Sequence, residues 1–175
     1  MDQKPNSIQE LSTVRLFLRR LEHKDNLDIF EMRSNAENNK YLDRPPCDSI
    51  LKTTEFIQKI INGYQNSNLF YWVICERETD LLIGTICLFS FSEDGLQAEI
   101  GFELKKEFQG NGFMLEATNE VLKFAFQVLG LEQINAFAHK DNQRSNTILG
   151  KLNFVKESNA ELQIGEQYIF HKLNV

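Results

Sequence analysis

The chain has 175 residues, 42% of them hydrophobic and 25% charged, with 19 Lys and Arg set against 25 Asp and Glu. A chain of this length and composition builds one domain with a core of its own and is not a disordered polymer. The resulting net charge of −6 argues against non-specific binding to nucleic acid or to anionic lipid.

No apolar run reaches the roughly 18–20 residues that span a bilayer. Residues 1–12 are polar and carry no signal-peptide core, so a single cytoplasmic domain over 13–175 is expected after them. The cysteines Cys47, Cys75 and Cys87 form no C-x-x-C and have no histidine at ligand spacing, which argues against a metal site.

In chain order, T-V-R-L-F-L at 13–18 alternates and predicts a first strand. Residues 24–34 predict a helix with Leu27, Ile29, Phe30 and Met32 on its apolar side. After the Pro45-Pro46 turn, Asp48 or Ser49 is placed to cap a second helix through Phe56, Ile57, Ile60, Ile61 and Tyr64. From Leu69 the texture changes to three strands, 69–75, 81–91 and 96–104, joined by polar turns at 76–80 and 92–95. These make an antiparallel meander, which a doubly wound parallel sheet would not contain. A long helix over 112–129 follows, ended by Gly130, then a strand at 133–138 and a short helix at 142–152. Closing strands are expected at 154–158 and 168–173.

The segment that carries chemistry is E-F-Q-G-N-G-F-M at 107–114, between a strand and the long helix. Gly110 and Gly112 allow positive φ and close backbone approach, so several amides at a helix N-terminus can converge on one anion. A diphosphate suits such a nest. The glycine pair alone reads equally well as a cap that binds nothing. Two phosphate fingerprints are excluded: Leu115 stands where a dinucleotide-binding G-x-G-x-x-G needs glycine, and the P-loop spacing and lysine are missing.

The segment does resemble the Q/R-x-x-G-x-G/A motif of the GNAT superfamily of N-acetyltransferases, with Gln109, Gly110, Asn111, Gly112, Phe113 and Met114 in its places. Met114 departs from the small residue usual at the last position. A-E-I-G-F-E-L at 98–104 is similar to the family's fourth strand. D-N-Q-R-S-N-T-I-L-G-K-L-N-F at 141–154 is similar to its N-x-x-S-x-x-x-x-x-K-x-G-F segment, with Asn153 in place of the glycine. Asn is the next-best residue for a left-handed helix end. The likeness runs from about Val14 to Leu173 and is nearest to the RimJ/RimL-like branch, which acetylates protein N-termini.

The resemblance implies an α/β (α+β) fold: a central mixed, mostly antiparallel twisted sheet flanked by about four helices. It implies acetyl-CoA as cofactor, with coenzyme A as product. The pantetheine would pair with strand backbone at Ile100, Phe102 and Leu104, and the 109–114 amides would hold the diphosphate, with Asn142 and Ser145 also at the cofactor. Glu99, Gly101 and Glu103 alternate onto one strand face. The resemblance makes Glu99 the first candidate general base and Glu103 the second, with Glu161 and Glu166 in reserve and Ser145 as the acid that protonates the sulfur. Each has a plainer alternative: solvated or cation-paired carboxylates for Glu99 and Glu103, helix capping for Asn142 and Ser145. His139 and His171 read first as surface or packed histidines and second as bases, and Lys105, Lys106 and Lys151 as solvated charges, one of which could meet a cofactor phosphate. Tyr41, Arg44 and Pro45-Pro46 are placed at the acceptor entrance. The expected acceptor is a primary amine, foremost a protein or peptide N-terminus. A polyamine or antibiotic, or acyl-CoA binding without turnover, stand as alternatives for a monomer or homodimer.

Overall fold

The computed structural model describes residues 8–42, 44–64, 68–156 and 168–175. Among these residues eight strands form one sheet in the order β1-β2-β3-β4-β5-β6-β8-β7. They are β1 (Leu11–Ser12), β2 (Leu16–Arg20), β3 (Phe70–Glu76), β4 (Leu82–Phe89), β5 (Gln97–Leu104), β6 (Gln133–His139), β7 (Val155–Lys156) and β8 (Tyr168–Asn174). The helices are α1 (Asn26–Ser34), α2 (Ala36–Asn39), α3 (Ile50–Gly63), α4 (Phe113–Lys123) and α5 (Gln143–Lys151). Every adjacent strand pair is antiparallel except β5 with β6. The expected mixed, mostly antiparallel sheet is therefore present.

The sheet is covered on both faces, which explains why β3 is an unbroken apolar run. Phe70, Trp72 and Ile74 point into the core with Ala117, Val121 and Phe124. Tyr71, Val73 and Cys75 point the other way, onto Ile29, Met32, Ile57 and Ile60. Strands buried on both faces lose the polar alternation of half-exposed ones. The Trp72 ring meets Phe124 edge-on at 5.5 Å, and its Nε1 donates to the Gln9 carbonyl at 2.8 Å.

Local details differ from the sequence expectation, among them β1, which was not expected, and the first expected strand, which lies at Leu16–Arg20 and not at 13–18. Leu27 lies outward, 68% exposed, while Ile29 and Met32 carry the buried face of α1. The long helix stops being α-helical at Lys123, and a π turn occupies Phe124–Val128, with Leu129 N–H reaching Phe124 C=O at 3.1 Å. Short α2 was not expected at all; Asn35 caps it by accepting the Glu37 N–H at 2.9 Å. Ser49, as expected, caps α3 through Lys52 N–H. Asn153 holds φ +63 after α5, the left-handed position for which it substitutes glycine.

Candidate functional site

Strands β5 and β6 pair only over Gln97–Glu99 and Gln133–Asn135, ending at Glu99 opposite Asn135. Beyond that point β5 runs on beside β4 to Leu104, and β6 runs on beside β8 to His139. The two strands thus part into a fork, with the β6-facing edge of β5 from Ile100 to Leu104 outside the parallel ladder. An extended chain with amide groups can pair with such an edge.

The mouth of the fork opens into a cavity of about 770 Å³. Its walls include Phe102, Glu103 and Leu104 from β5, then Gln109, Gly110, Gly112, Phe113 and Met114 from the loop and α4, and Asn142 and Ser145 from α5. The structure therefore brings most of the sequence candidates around one space. Three lie elsewhere. Ile100 turns its side chain into the core, Asn111 is exposed outside the cavity wall, and Glu99 sits at the apex of the fork, apart from the lining.

The loop has the form of an anion nest. Gly110 and Gly112 have φ +84 and +81, where L side chains are strained. A Cβ on Gly110 would meet nothing within 4 Å, so open space lies beside it. Gly112 caps α4 without a side-chain partner. Among the described residues, the N–H groups of Gly110 through Leu115 find no backbone acceptor, as expected of a helix start. Unpaired amides at the positive end of a helix dipole suit an anion such as a diphosphate. Met114 does not obstruct them, because its side chain is 4% exposed and packs into the core.

Gln109 ties the loop to both sides of the fork. Its Nε2 donates to the Leu104 carbonyl at 2.8 Å, and its Oε1 accepts from Arg144 of α5. Asn142 Oδ1 accepts the Ser145 N–H at 3.2 Å, so capping is realised and Asn142 faces the cavity as well. Ser145 Oγ makes no hydrogen bond among the described residues and borders the cavity.

The two β5 carboxylates have different surroundings. Glu103 is clamped by Arg44, whose Nη1 and Nη2 donate at 3.1 and 2.6 Å, while Asn39 Oδ1 accepts from Arg44 Nε at 2.8 Å. Both carboxylate oxygens of Glu103 are thus engaged by Arg44. Glu99 is half-buried, and burial pushes its carboxyl up, against a smaller downward pull from a hydrogen bond with Ser90. Glu161 and Glu166 lie outside the described residues.

Lys106 is exposed and Lys151 lines the cavity, whereas the other candidates are engaged by their neighbours. His139 Nδ1 accepts the Asp141 N–H at 3.2 Å, and its ring packs between Tyr41 and Tyr168 at 5.2 and 5.4 Å. His171 is buried with Nε2 at 2.9 Å from Asn146 Oδ1, and burial lowers its pKa. Lys105 is not a solvated charge: it is 7% exposed and pairs with Asp28 and Glu31 of α1, both at 2.8 Å. Burial pushes the Cys75 thiol up to about 11 and the Cys87 thiol up to about 12, which leaves neither nucleophilic at neutral pH. Among the described residues no group of three metal-ligating side chains occurs, and no helix is long and apolar enough to cross a membrane.

Sequence reasoning missed three cations around the loop and fork: Arg15, Arg144, and Arg44 as the partner of Glu103. The Arg15 and Arg44 partners lie 96 and 59 residues away in the chain, so no local pattern could expose them.

The family model described as "Acetyltransferase (GNAT) domain" matches residues 15–155. The uncharacterized N-acetyltransferase YoaA of Bacillus subtilis is 37% identical over 84% of this chain and 83% of its own. Spermidine N(1)-acetyltransferase of Escherichia coli K12 is 26% identical over 86% of this chain and 80% of its own. Among solved structures, RimL ribosomal L7/L12 alpha-N-protein acetyltransferase in complex with coenzyme A superposes with a TM-score of 0.79. That structure is 19% identical and covers 95% of this chain and 98% of its own, so it speaks for the fold. The fork, the glycine nest and these matches agree: the chain belongs to the GNAT family of acetyltransferases, enzymes whose acyl donor is acetyl-CoA.

Proposed function

We propose that this chain acetylates the α-amine of a peptide or protein N-terminus by direct attack in a ternary complex. Bound acetyl-CoA supplies the acetyl group as a thioester. The amides of 110–115 hold its diphosphate, and the edge of β5 beyond the parallel ladder aligns the pantetheine toward the apex of the fork.

The observation that carries the mechanism is the placement of Glu99 at that apex, half-buried and with a raised carboxyl pKa. A base poised above the ordinary carboxylate range is better matched to taking a proton at neutral pH. The amine nitrogen attacks the thioester carbonyl, so that a C–N bond forms and the C–S bond breaks. Glu99 accepts the amine's proton through water, and Ser145 Oγ delivers its proton to the departing sulfur. The serine is reprotonated from solvent, while Glu99 releases its proton there. An N-terminal α-amine titrates near 8, against about 10.4 for lysine, so it reaches the neutral form more readily.

The charge of the cavity supports a peptide over a polyamine. Its acidic lining residues, Glu37, Glu103 and Asp141, are matched in number by Lys40, Arg144 and Lys151. Glu103 is already neutralised by Arg44. A polycation needs an anionic excess that this lining does not supply. The spermidine acetyltransferase among the relatives keeps a polyamine as the competing reading.

A panel assay following coenzyme A release separates them. Peptides with a free N-terminus, their Nα-blocked counterparts carrying an internal lysine, and spermidine are compared at equal concentration. Turnover of the free-N-terminus peptides alone is expected. Preference for spermidine would overturn the peptide assignment, and preference for blocked peptides would move it to lysine.

A further inference from the structure

We infer that Arg15, immediately before β2, is the positioning residue of the diphosphate nest. It aims the Gly112 amide at the ligand by holding the preceding carbonyl away from it. The inference rests on the assignment of the 109–114 loop to the diphosphate of acetyl-CoA.

Arg15 reaches across the fold to the outer side of the loop. Its Nη1 donates to the Asn111 carbonyl at 3.0 Å, and its Nε donates to Glu116 Oε2 at 2.7 Å. The guanidinium also lies over the Phe113 ring, 4.4 Å from its centroid. Nη2 stands 3.5 Å from where a Cβ on Gly112 would be. One cation thus contacts both Asn111 and Phe113 and lies beside the Gly112 between them.

A second set of bonds fixes the partner carboxylate. Glu116 Oε1 accepts from Thr13 Oγ1 at 2.5 Å and from the Arg15 N–H at 2.9 Å. Thr13 Oγ1 in turn accepts the Leu16 N–H at 2.9 Å, which locks it to the strand. Burial alone would raise the Glu116 carboxyl, but these hydrogen bonds and the Arg15 charge outweigh it and hold the carboxyl below its usual range. Glu116 N–H closes the first turn of α4 on the Gly112 carbonyl at 3.0 Å. Asn111 and Gly112 therefore both have their carbonyls engaged.

Peptide planarity turns that into function. In a trans peptide the C=O of one residue and the N–H of the next point in opposite directions. With the Asn111 carbonyl held by Arg15, the Gly112 N–H must face away from Arg15. With the Gly112 carbonyl held inside α4, the Phe113 N–H is oriented likewise. Neither N–H has a backbone acceptor among the described residues, and both residues line the cavity. A glycine-rich loop left to itself samples many conformations, and ordering it would be charged against binding. The Arg15 brace keeps it ordered in advance.

Lysine cannot reproduce the brace. One ammonium on a flexible stem lacks the fork that joins a carbonyl to a carboxylate. Nearby Arg77 provides a matched control: its Nη1 donates to the Thr13 carbonyl at 2.9 Å at the same strand start, with no bond to the loop.

The test compares titrations of the full chain with acetyl-CoA and with S-acetylpantetheine, which lacks the diphosphate, alongside thermal melting. Arg15→Ala is expected to weaken acetyl-CoA at least tenfold and leave S-acetylpantetheine unchanged. Arg15→Lys should recover a minor part of the loss. Glu116→Gln, which keeps the side-chain shape and removes its charge, should lose several-fold and is read in place of Arg15→Ala should that variant not fold. Arg77→Ala should melt lower and bind acetyl-CoA as the parent does. Unchanged acetyl-CoA affinity in both Arg15→Ala and Glu116→Gln, or an equal loss for the two ligands, would overturn the inference. Failure of the parent protein to bind acetyl-CoA would instead overturn the site assignment on which it stands.

Discussion

Replacing Gly110 by alanine separates a glycine that serves a ligand from one that serves a turn. Gly110 has φ +84, and a Cβ there would meet nothing within 4 Å. The only cost to the free protein is then the left-handed backbone, about 1–2 kcal/mol for a residue with a Cβ. On a chain of this size each kcal/mol lowers Tm by about 2–4 °C, so a fall of about 2–8 °C is expected. Gly130 offers the same experiment away from the cavity, since it has φ +67, also has nothing within 4 Å of a Cβ, and ends the helical segment. Gly130→Ala should melt lower by a similar amount and keep its affinity for acetyl-CoA. Gly110→Ala should in addition bind acetyl-CoA about 10–100-fold more weakly, or about 1.4–2.8 kcal/mol, because its methyl enters the diphosphate space. Calorimetric titration and melting of the two variants decide it. Equal affinity in Gly110→Ala and Gly130→Ala would refute the reasoning and leave Gly110 as a turn residue.

Further variants test the proton-transfer assignments. Glu99→Gln should lower kcat by about 100-fold or more and abolish the acidic limb of the kcat/KM profile, which in the parent falls above the ordinary carboxylate range. A carboxyl whose pKa is raised on folding destabilises the native state once pH climbs from the unfolded value through the folded one. Glu99→Gln should therefore melt higher than the parent at pH 7, and the difference should vanish below about pH 4; a lower melting point at pH 7 would contradict the desolvated environment. Ser145→Ala should reduce kcat with nearly unchanged acetyl-CoA affinity, and an unaltered rate would remove it from the mechanism. Glu103→Gln breaks a pair whose side chains are only 21% and 12% exposed. Breaking a fully buried pair costs about 3–5 kcal/mol, so about 1–3 kcal/mol is expected here, with kcat changed by less than a few-fold. A hundredfold loss of kcat at unchanged Tm would return Glu103 to the role of base.

Legibility in the sequence followed the range of the interaction. Ile57 and Ile60 fall on the buried face of α3 because helical periodicity is local, and β3 was legible because both of its faces are apolar. The glycine motif was legible for the same reason: positive φ at Gly110 and Gly112 is a property of two residues and their neighbours. What escaped was short or distant. Helix α2 spans four residues and β1 two, too few for any period to register. The π turn at Phe124–Val128 leaves the apolar spacing of a helix almost intact and so reads as continuous helix. Lys105 looked like a surface charge until α1 folded Asp28 and Glu31 against it, 77 and 74 residues away. The same holds for Glu103, whose carboxylate is engaged by Arg44, and for the loop itself, whose Asn111 carbonyl accepts from Arg15 just before β2. The sequence names the groups at a site, and long-range packing decides which of them remain free to act.

The central claim is that the backbone of the 109–114 loop grips the diphosphate of acetyl-CoA. Amide NMR during titration with coenzyme A reads that contact atom by atom. The largest shifts are predicted at the N–H groups of Gly110, Gly112, Phe113 and Met114, with smaller ones along Ile100 to Leu104 and at Ser145. Saturating shifts confined to other parts of the sheet, with these amides unmoved, would contradict the account.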